Sequence, residues 1–303
     1  MGHDHTHDHT HGANKKVLLI SFLIITSYMI VEAIGGFLTN SLALLSDAGH
    51  MLSDSISLAI ALIAFKLAEK AASRSKTYGY KRFEILAAVI NGVTLIAISL
   101  YIFYEAIDRF ANPPEVATTG MLIISVIGLA VNVLVAWIMM RGAYLHVLSD
   151  MLGSVGAITA ALLMMFFDWG WADPLASVIV ALLILRSGYY VTKSAVHVLM
   201  EGTPQNIDVD DILQTIKKTD GIQDIHDLHI WSITSGLNAL SCHAVVDHQL
   251  TIAESENILH QIEHNLEHKG ITHVTIQMET GDHKHDDSLL CTAKNEPAHD
   301  HHH

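Results

Sequence analysis

Two short strings hold the residues best suited to chemistry. His50-Met51-Leu52-Ser53-Asp54 and His146-Val147-Leu148-Ser149-Asp150 agree at four of five positions. On an α-helix, residues four apart share a face, one turn apart. Each string therefore presents an imidazole nitrogen beside a carboxylate oxygen. Two such faces brought together make a set of two nitrogens and two oxygens, which suits tetrahedral Zn2+ with ligand distances of about 2.0–2.2 Å. Mg2+ and Ca2+ favour all-oxygen shells with more ligands. The mixed set admits Zn2+ first, then Co2+, Cd2+, Ni2+ or Fe2+, which affinity alone does not rank. Asp47, three residues before His50, either supports the ion from behind its ligands or makes a helix-face hydrogen bond.

The elements that must position these strings are apolar. Half of the 303 residues are hydrophobic, and the excess gathers in six runs, at 17–39, 42–65, 85–107, 118–140, 143–167 and 174–191. A membrane-crossing helix needs about 20 apolar residues, and continuous runs favour helices over the alternation of a barrel strand. The expected fold is an α-helical membrane protein with six transmembrane helices. The two strings then lie on spans two and five, which run in opposite directions. An aspartate at a helix centre costs on the order of 2.5–3.5 kcal/mol to insert, and such residues usually face a pathway. Glu32, Asn91 and Asn132 are expected to hydrogen-bond between helices, and Arg186 to snorkel or pair with an acid.

Lys66, Lys70, Arg74, Lys76, Lys81 and Arg82 crowd the connection between spans two and three. Lys15, Lys16, Arg141 and Lys193 fall on the same side, while the opposite connections hold little but Arg109. By the positive-inside rule both termini are expected in the cytoplasm, on a multi-pass protein of the cell membrane. The formal charge of −14 argues against a nucleic-acid partner. Cys242 and Cys291 fall on the cytoplasmic side, where a structural disulfide is not expected.

Four segments follow: a His-rich tail at 1–14, the spans within 15–200, a polar domain at 201–280 and a His/Asp-rich tail at 281–303. The polar domain reads αββαβ, a small α+β unit with helices on one face of a sheet. It offers His226, His229, His243, His273, Asp247 and Glu279, either as a second metal site or as surface residues. Strand alternation prevents all of them from converging. The His-rich tails are too polar to form a core, and suit low-affinity metal capture.

Together SLALLSDAGHMLSDSISL, YGYKRFEILAAVING, GAYLHVLSDMLGSVG, WADPLAS, MEGTP, HDLHIWS and HVTIQME resemble the cation diffusion facilitators, near the bacterial cobalt–zinc–cadmium efflux type. The resemblance implies a homodimer of six-helix protomers with metallochaperone-like cytoplasmic domains, exchanging Zn2+ for protons without a cofactor. It implies His50, Asp54, His146 and Asp150 as transport-site ligands, in the His-Asp form of the zinc-preferring subgroup. His226, His243 and Glu279 match positions that bind metal in some members; His273 is offset by one from a ligand of certain relatives.

The chain departs from the family in one place. Only Met140, Arg141 and Gly142 separate spans four and five, where members commonly carry a longer loop. His146 also falls only about 7.5 Å along the helix axis from Arg141. Missing loop residues, early helix ends or a water-filled vestibule would each account for this, the first being favoured. The expected function is export of Zn2+, with Cd2+ and Co2+, against protons by alternating access. An intramembrane metalloprotease would need an HExxH helix, which the sequence lacks, so no enzyme is expected. A membrane-anchored metal sensor that binds without transporting is the alternative.

Overall fold

The computed structural model describes residues 8–68, 72–138 and 144–281; within its helices, the side chains of 8–15, 64, 65, 68, 136 and 144–150 lie outside that description. The chain divides into two compact units, Met1–Val196 and His197–His303. In the first, a helix occupies the described part of each of the six apolar runs: α1 (Asp8–Thr39), α2 (Leu42–Ala68), α3 (Phe83–Ala111), α4 (Thr118–Ile138), α5 (Tyr144–Phe167) and α6 (Ala172–Leu199). Among the described residues, four stretches are long and apolar enough to cross a membrane: Lys16–Thr39, Phe83–Ala111, Thr118–Val135 and Ala172–Leu199. Met151–Phe167, the part of α5 whose side chains are described, is apolar as well. α2 differs because Ser46, Asp47, His50, Ser53, Asp54 and Ser55 interrupt its apolar surface, and all of them are turned inward. Leu23, Phe37, Leu38, Tyr104, Ile107 and Ile179 instead stand exposed on α1, α3 and α6. Large apolar side chains spread in this way over several helices make a lipid-facing surface.

Polar groups tie the helices together. Asn91 on α3 donates to Ser53 Oγ at 3.2 Å and Ser57 Oγ at 3.3 Å on α2. Asn132 on α4 donates to Ser154 Oγ on α5 at 3.4 Å. Both asparagines thus act between helices as expected. Arg186 lies over the Tyr190 ring, 5.7 Å from its centroid, in cation–π range.

The Asp of the WADPLAS motif gains a clear role. Asp173, in the first turn of α6, accepts from the Leu42 and Ala43 amides at 2.7 and 3.1 Å and from Ser41 Oγ at 2.6 Å. The first amides of a helix have no partner within it, and a carboxylate there also meets the positive end of the helix dipole. Arg109 donates to the Asn40 carbonyl at 2.7 Å and lies 3.9 Å from Asp173. Asp173→Ala is expected to destabilise the protein by about 3 kcal/mol, since it strands two buried amides and the Ser41 hydroxyl; Arg109 keeps Glu105, 3.0 Å away. Thermal unfolding in detergent reads this out; an unchanged Tm would refute the capping role.

The second unit holds α7 (Val209–Lys217), β1 (Ile222–Thr234), β2 (Leu237–Val246), α8 (Ile252–Glu267) and β3 (Ile271–Thr280), the αββαβ order expected. Asp208 caps α7, and Thr251 with Glu254 forms a capping box on α8. The strand order is β1-β2-β3, with β1 and β2 antiparallel and β2 and β3 parallel. Ile212 and Ile216 of α7 and Ile258, Ile262 and Leu266 of α8 pack with Ile225, Leu228, Ile230, Leu240 and Cys242 of the sheet. Both helices therefore cover one sheet face, leaving the other for polar side chains.

Candidate metal centres

That other face gathers three of the expected residues. His226 and His243 are cross-strand partners in the β1–β2 register, and their rings meet edge to face with centroids 5.2 Å apart. His243 lies beside Gln277 of β3, and Glu279, two residues further on, shares its face. Glu279 is 8% exposed. Its Oε1 is 2.8 Å from His226 Nε2 and its Oε2 is 3.4 Å from His243 Nδ1. One ligand atom from each residue fits within a 4.8 Å group. Ligands bound at about 2.0–2.2 Å in a tetrahedron stand about 3.3–3.6 Å apart, so this triad needs only small adjustments to hold Zn2+.

A bulge brings in two more residues. The β1–β2 register shifts between His226 and His229, and Asp227 takes a left-handed backbone with φ of 54°. Asp is among the few residues that enter this region readily. The extra residue keeps both Ile225 and Leu228 in the core, so His226 and His229 face the same side, which plain alternation forbids. Asp227 lies 3.1 Å from His229 Nε2 and 3.7 Å from His243 Nε2. The sequence held one signal for this: an aspartate, poor in strands, inside HDLHI. His273 does not join the triad. It stands six residues before Glu279 on β3, about 20 Å along the strand. Asp247 follows the end of β2 and caps the turn, accepting from the Gln249 amide at 2.8 Å. Burial first, and then the nearby Asp227 carboxylate, pushes the Cys242 thiol up to about 12. It is therefore a neutral core residue rather than a thiolate ligand.

In the helical unit, His50 and Asp54 are 9% and 8% exposed, one turn apart on α2. Asp47 is 1% exposed. It accepts from Ser154 Oγ of α5 at 2.8 Å; Glu32 on α1 is buried, and its carboxylate oxygens find no hydrogen-bond partner among the described residues, contrary to the interhelical bond expected of it. A Cβ on Gly153 would lie 2.0 Å from Asp47 Oδ1, so α5 approaches α2 closely at this point. Farther along, Ala43 and Leu44 pack with Ala157, Ala160 and Ala161. Position falls on α2 as it rises on α5, so the pair is antiparallel. Carried on from Asp47 beside Ser154, this register runs 50–54 of α2 alongside 147–151 of α5. His146 and Asp150 lie on the first two turns of α5, but their side chains are outside the described residues. Residues 139–143, where missing loop residues were expected, are outside them too.

A helical unit rich in lipid-facing surface, with buried acids and histidine on facing helices and a small domain carrying a His-His-Glu triad, defines a membrane protein that handles metal ions. Residues 18–200 match the cation efflux transmembrane domain and residues 204–281 the cation efflux protein cytoplasmic domain, so the chain belongs to the cation efflux family, the cation diffusion facilitators. A cadmium, cobalt and zinc/H(+)-K(+) antiporter of Bacillus subtilis is 75% identical over 308 residues, spanning 98% of this chain and 99% of that protein. The metal cation efflux system protein CzcD of Cupriavidus metallidurans is 40% identical, covering 92% and 90%. Zinc transporter ZitB of Escherichia coli is 37% identical, covering 92% and 93%. A further Bacillus antiporter, from Bacillus velezensis, aligns over 314 positions, more than the 303 of this chain, so it carries residues that this chain lacks.

Proposed function

We propose that this chain exports Zn2+, and also Cd2+ and Co2+, from the cytoplasm in exchange for protons by alternating access. The observation that carries the proposal is the antiparallel register of α2 and α5, which runs the two His-x-Leu-Ser-Asp strings side by side. His50, Asp54, His146 and Asp150 bind the ion, with Asp47 behind them, holding the two helices together through Ser154. All six helices span the bilayer, the polar residues of α2 being turned away from lipid. Both termini are cytoplasmic, and two protomers pair. Residues 15–200 form the transport domain and 201–280 the regulatory one, where His226, His243 and Glu279 hold a second ion.

The chemistry follows from the ligands. They bind metal only when deprotonated, so Zn2+ entering from the cytoplasm displaces protons. Once the helices rock and open the site outward, protons from outside recharge the histidines, whose ordinary pKa of about 6.5 suits the task, and expel the ion. The name of the Bacillus subtilis relative pairs its metals with both H+ and K+, so K+ is a second candidate counter-ion.

Purified protein in liposomes under an imposed pH gradient tests this. Zn2+ should accumulate on the acidic side and the gradient should dissipate with it. A metal sensor would bind Zn2+ without either effect, and that result would refute the proposal. Repeating the assay with a K+ gradient alone assigns the second counter-ion.

A further inference from the structure

The C-terminal domain carries a second cluster of metal-binding side chains, on the outward face of α8. His260, Glu263, His264 and Glu267 follow the i, i+3, i+4, i+7 spacing that keeps residues on one helix face. Together with Thr272 and His273 from the start of β3, they line a groove of about 570 Å3. His260 Nδ1 lies 3.4 Å from Glu263 Oε2. The His264 ring packs edge to face against that of His268, one turn on, with centroids 4.7 Å apart.

We infer that this α8–β3 groove is a binding site for a borderline divalent cation such as Zn2+ or Co2+. His260 and His264 supply the nitrogens and Glu263 or Glu267 an oxygen. Two imidazoles one helical turn apart have Cβ atoms about 5–6 Å apart, and rotation about their side-chain bonds brings one nitrogen from each onto a shared ion. The adjacent carboxylates complete a nitrogen–oxygen set of the kind Zn2+ accepts. They also raise the local concentration of cations by their charge. The start of β3, with Thr272 and His273, forms the wall of the groove opposite α8. Because the ligands are exposed and ordered only by one helix, the site binds loosely and exchanges quickly. It is suited to capture rather than storage.

Histidine footprinting of the full chain with diethyl pyrocarbonate, read peptide by peptide, tests the site and separates it from the His-rich tails. Zn2+ alone should slow modification of His260 and His264 several-fold. In His264→Ala the protection of His260 should disappear, while that of His226 and His243 stays as in the unchanged protein. A His260 rate unaffected by Zn2+, or protection of His260 surviving in His264→Ala, overturns the inference. The readout needs no transport, so failure of the export proposal leaves this result intact, and the reverse.

Discussion

Asp54→Ala and Asp150→Ala should each abolish Zn2+ flux in liposomes while leaving the protein folded. Each removes one of two oxygens from the proposed four-ligand set, whose charge would offset that of the ion. Partners that merely orient a metal ligand are worth roughly 10–100-fold in affinity or activity, so a ligand itself should cost at least about 100-fold. Asp54 is 8% exposed, one turn from His50 on α2. Tm and helix content of each variant, measured beside flux, separate a lost ligand from a lost fold: flux should disappear while the helical fold remains. Substantial flux in either variant would place the transport site elsewhere. Ion binding at the C-terminal triad, followed through His226 and His243, should be unchanged in both.

The parts of the molecule legible in the sequence are those fixed by local pattern. Apolar runs located the helices because burial in lipid requires backbone pairing within each segment. Period-two and period-3.6 patterning located the elements of the small domain; the triad of His226, His243 and Glu279 came as a set only through the resemblance to the family, because its residues lie on three different strands. Missing from that reading was whatever depends on a residue's partner far along the chain. Nothing in WADPLAS says that Asp173 caps a helix 130 residues earlier in the chain. The bulge at Asp227 was hidden because strand alternation assumes an unbroken register. The α8 groove was overlooked because its histidines read as the polar side of an amphipathic helix. His273 stands at the start of β3, beside the α8 groove, because β3 runs about 20 Å from there to Glu279.

The approach of α2 to α5 can be tested without touching a proposed ligand. Gly153→Ala would set a methyl group 2.0 Å from Asp47 Oδ1 and 2.7 Å from its Cγ. Asp47 has little room to yield, being 1% exposed and held by Ser154 at 2.8 Å. The helices must part or the carboxylate must leave its hydrogen bond. Overpacking of this kind costs about 1–3 kcal/mol, and a displacement of only about 1 Å at a constellation of this sort can cost 100-fold in function. Gly153→Ala is thus expected to lower Tm and reduce Zn2+ flux at least tenfold, a rise of about 1.4 kcal/mol in the barrier. Gly156, on the same helix, is the matched control, because nothing lies within 4 Å of a Cβ built there. Gly156→Ala should keep full flux and gain up to about 1 kcal/mol from helix propensity. Adding Asp47→Ala to Gly153→Ala restores the space and should recover stability, with a coupling measurable in a double-mutant cycle. If flux returns as well, Asp47 serves only to hold the helices; if stability returns and flux does not, its carboxylate also acts on the ion. Equal flux in Gly153→Ala and Gly156→Ala would show that this contact does not set the geometry of the transport site.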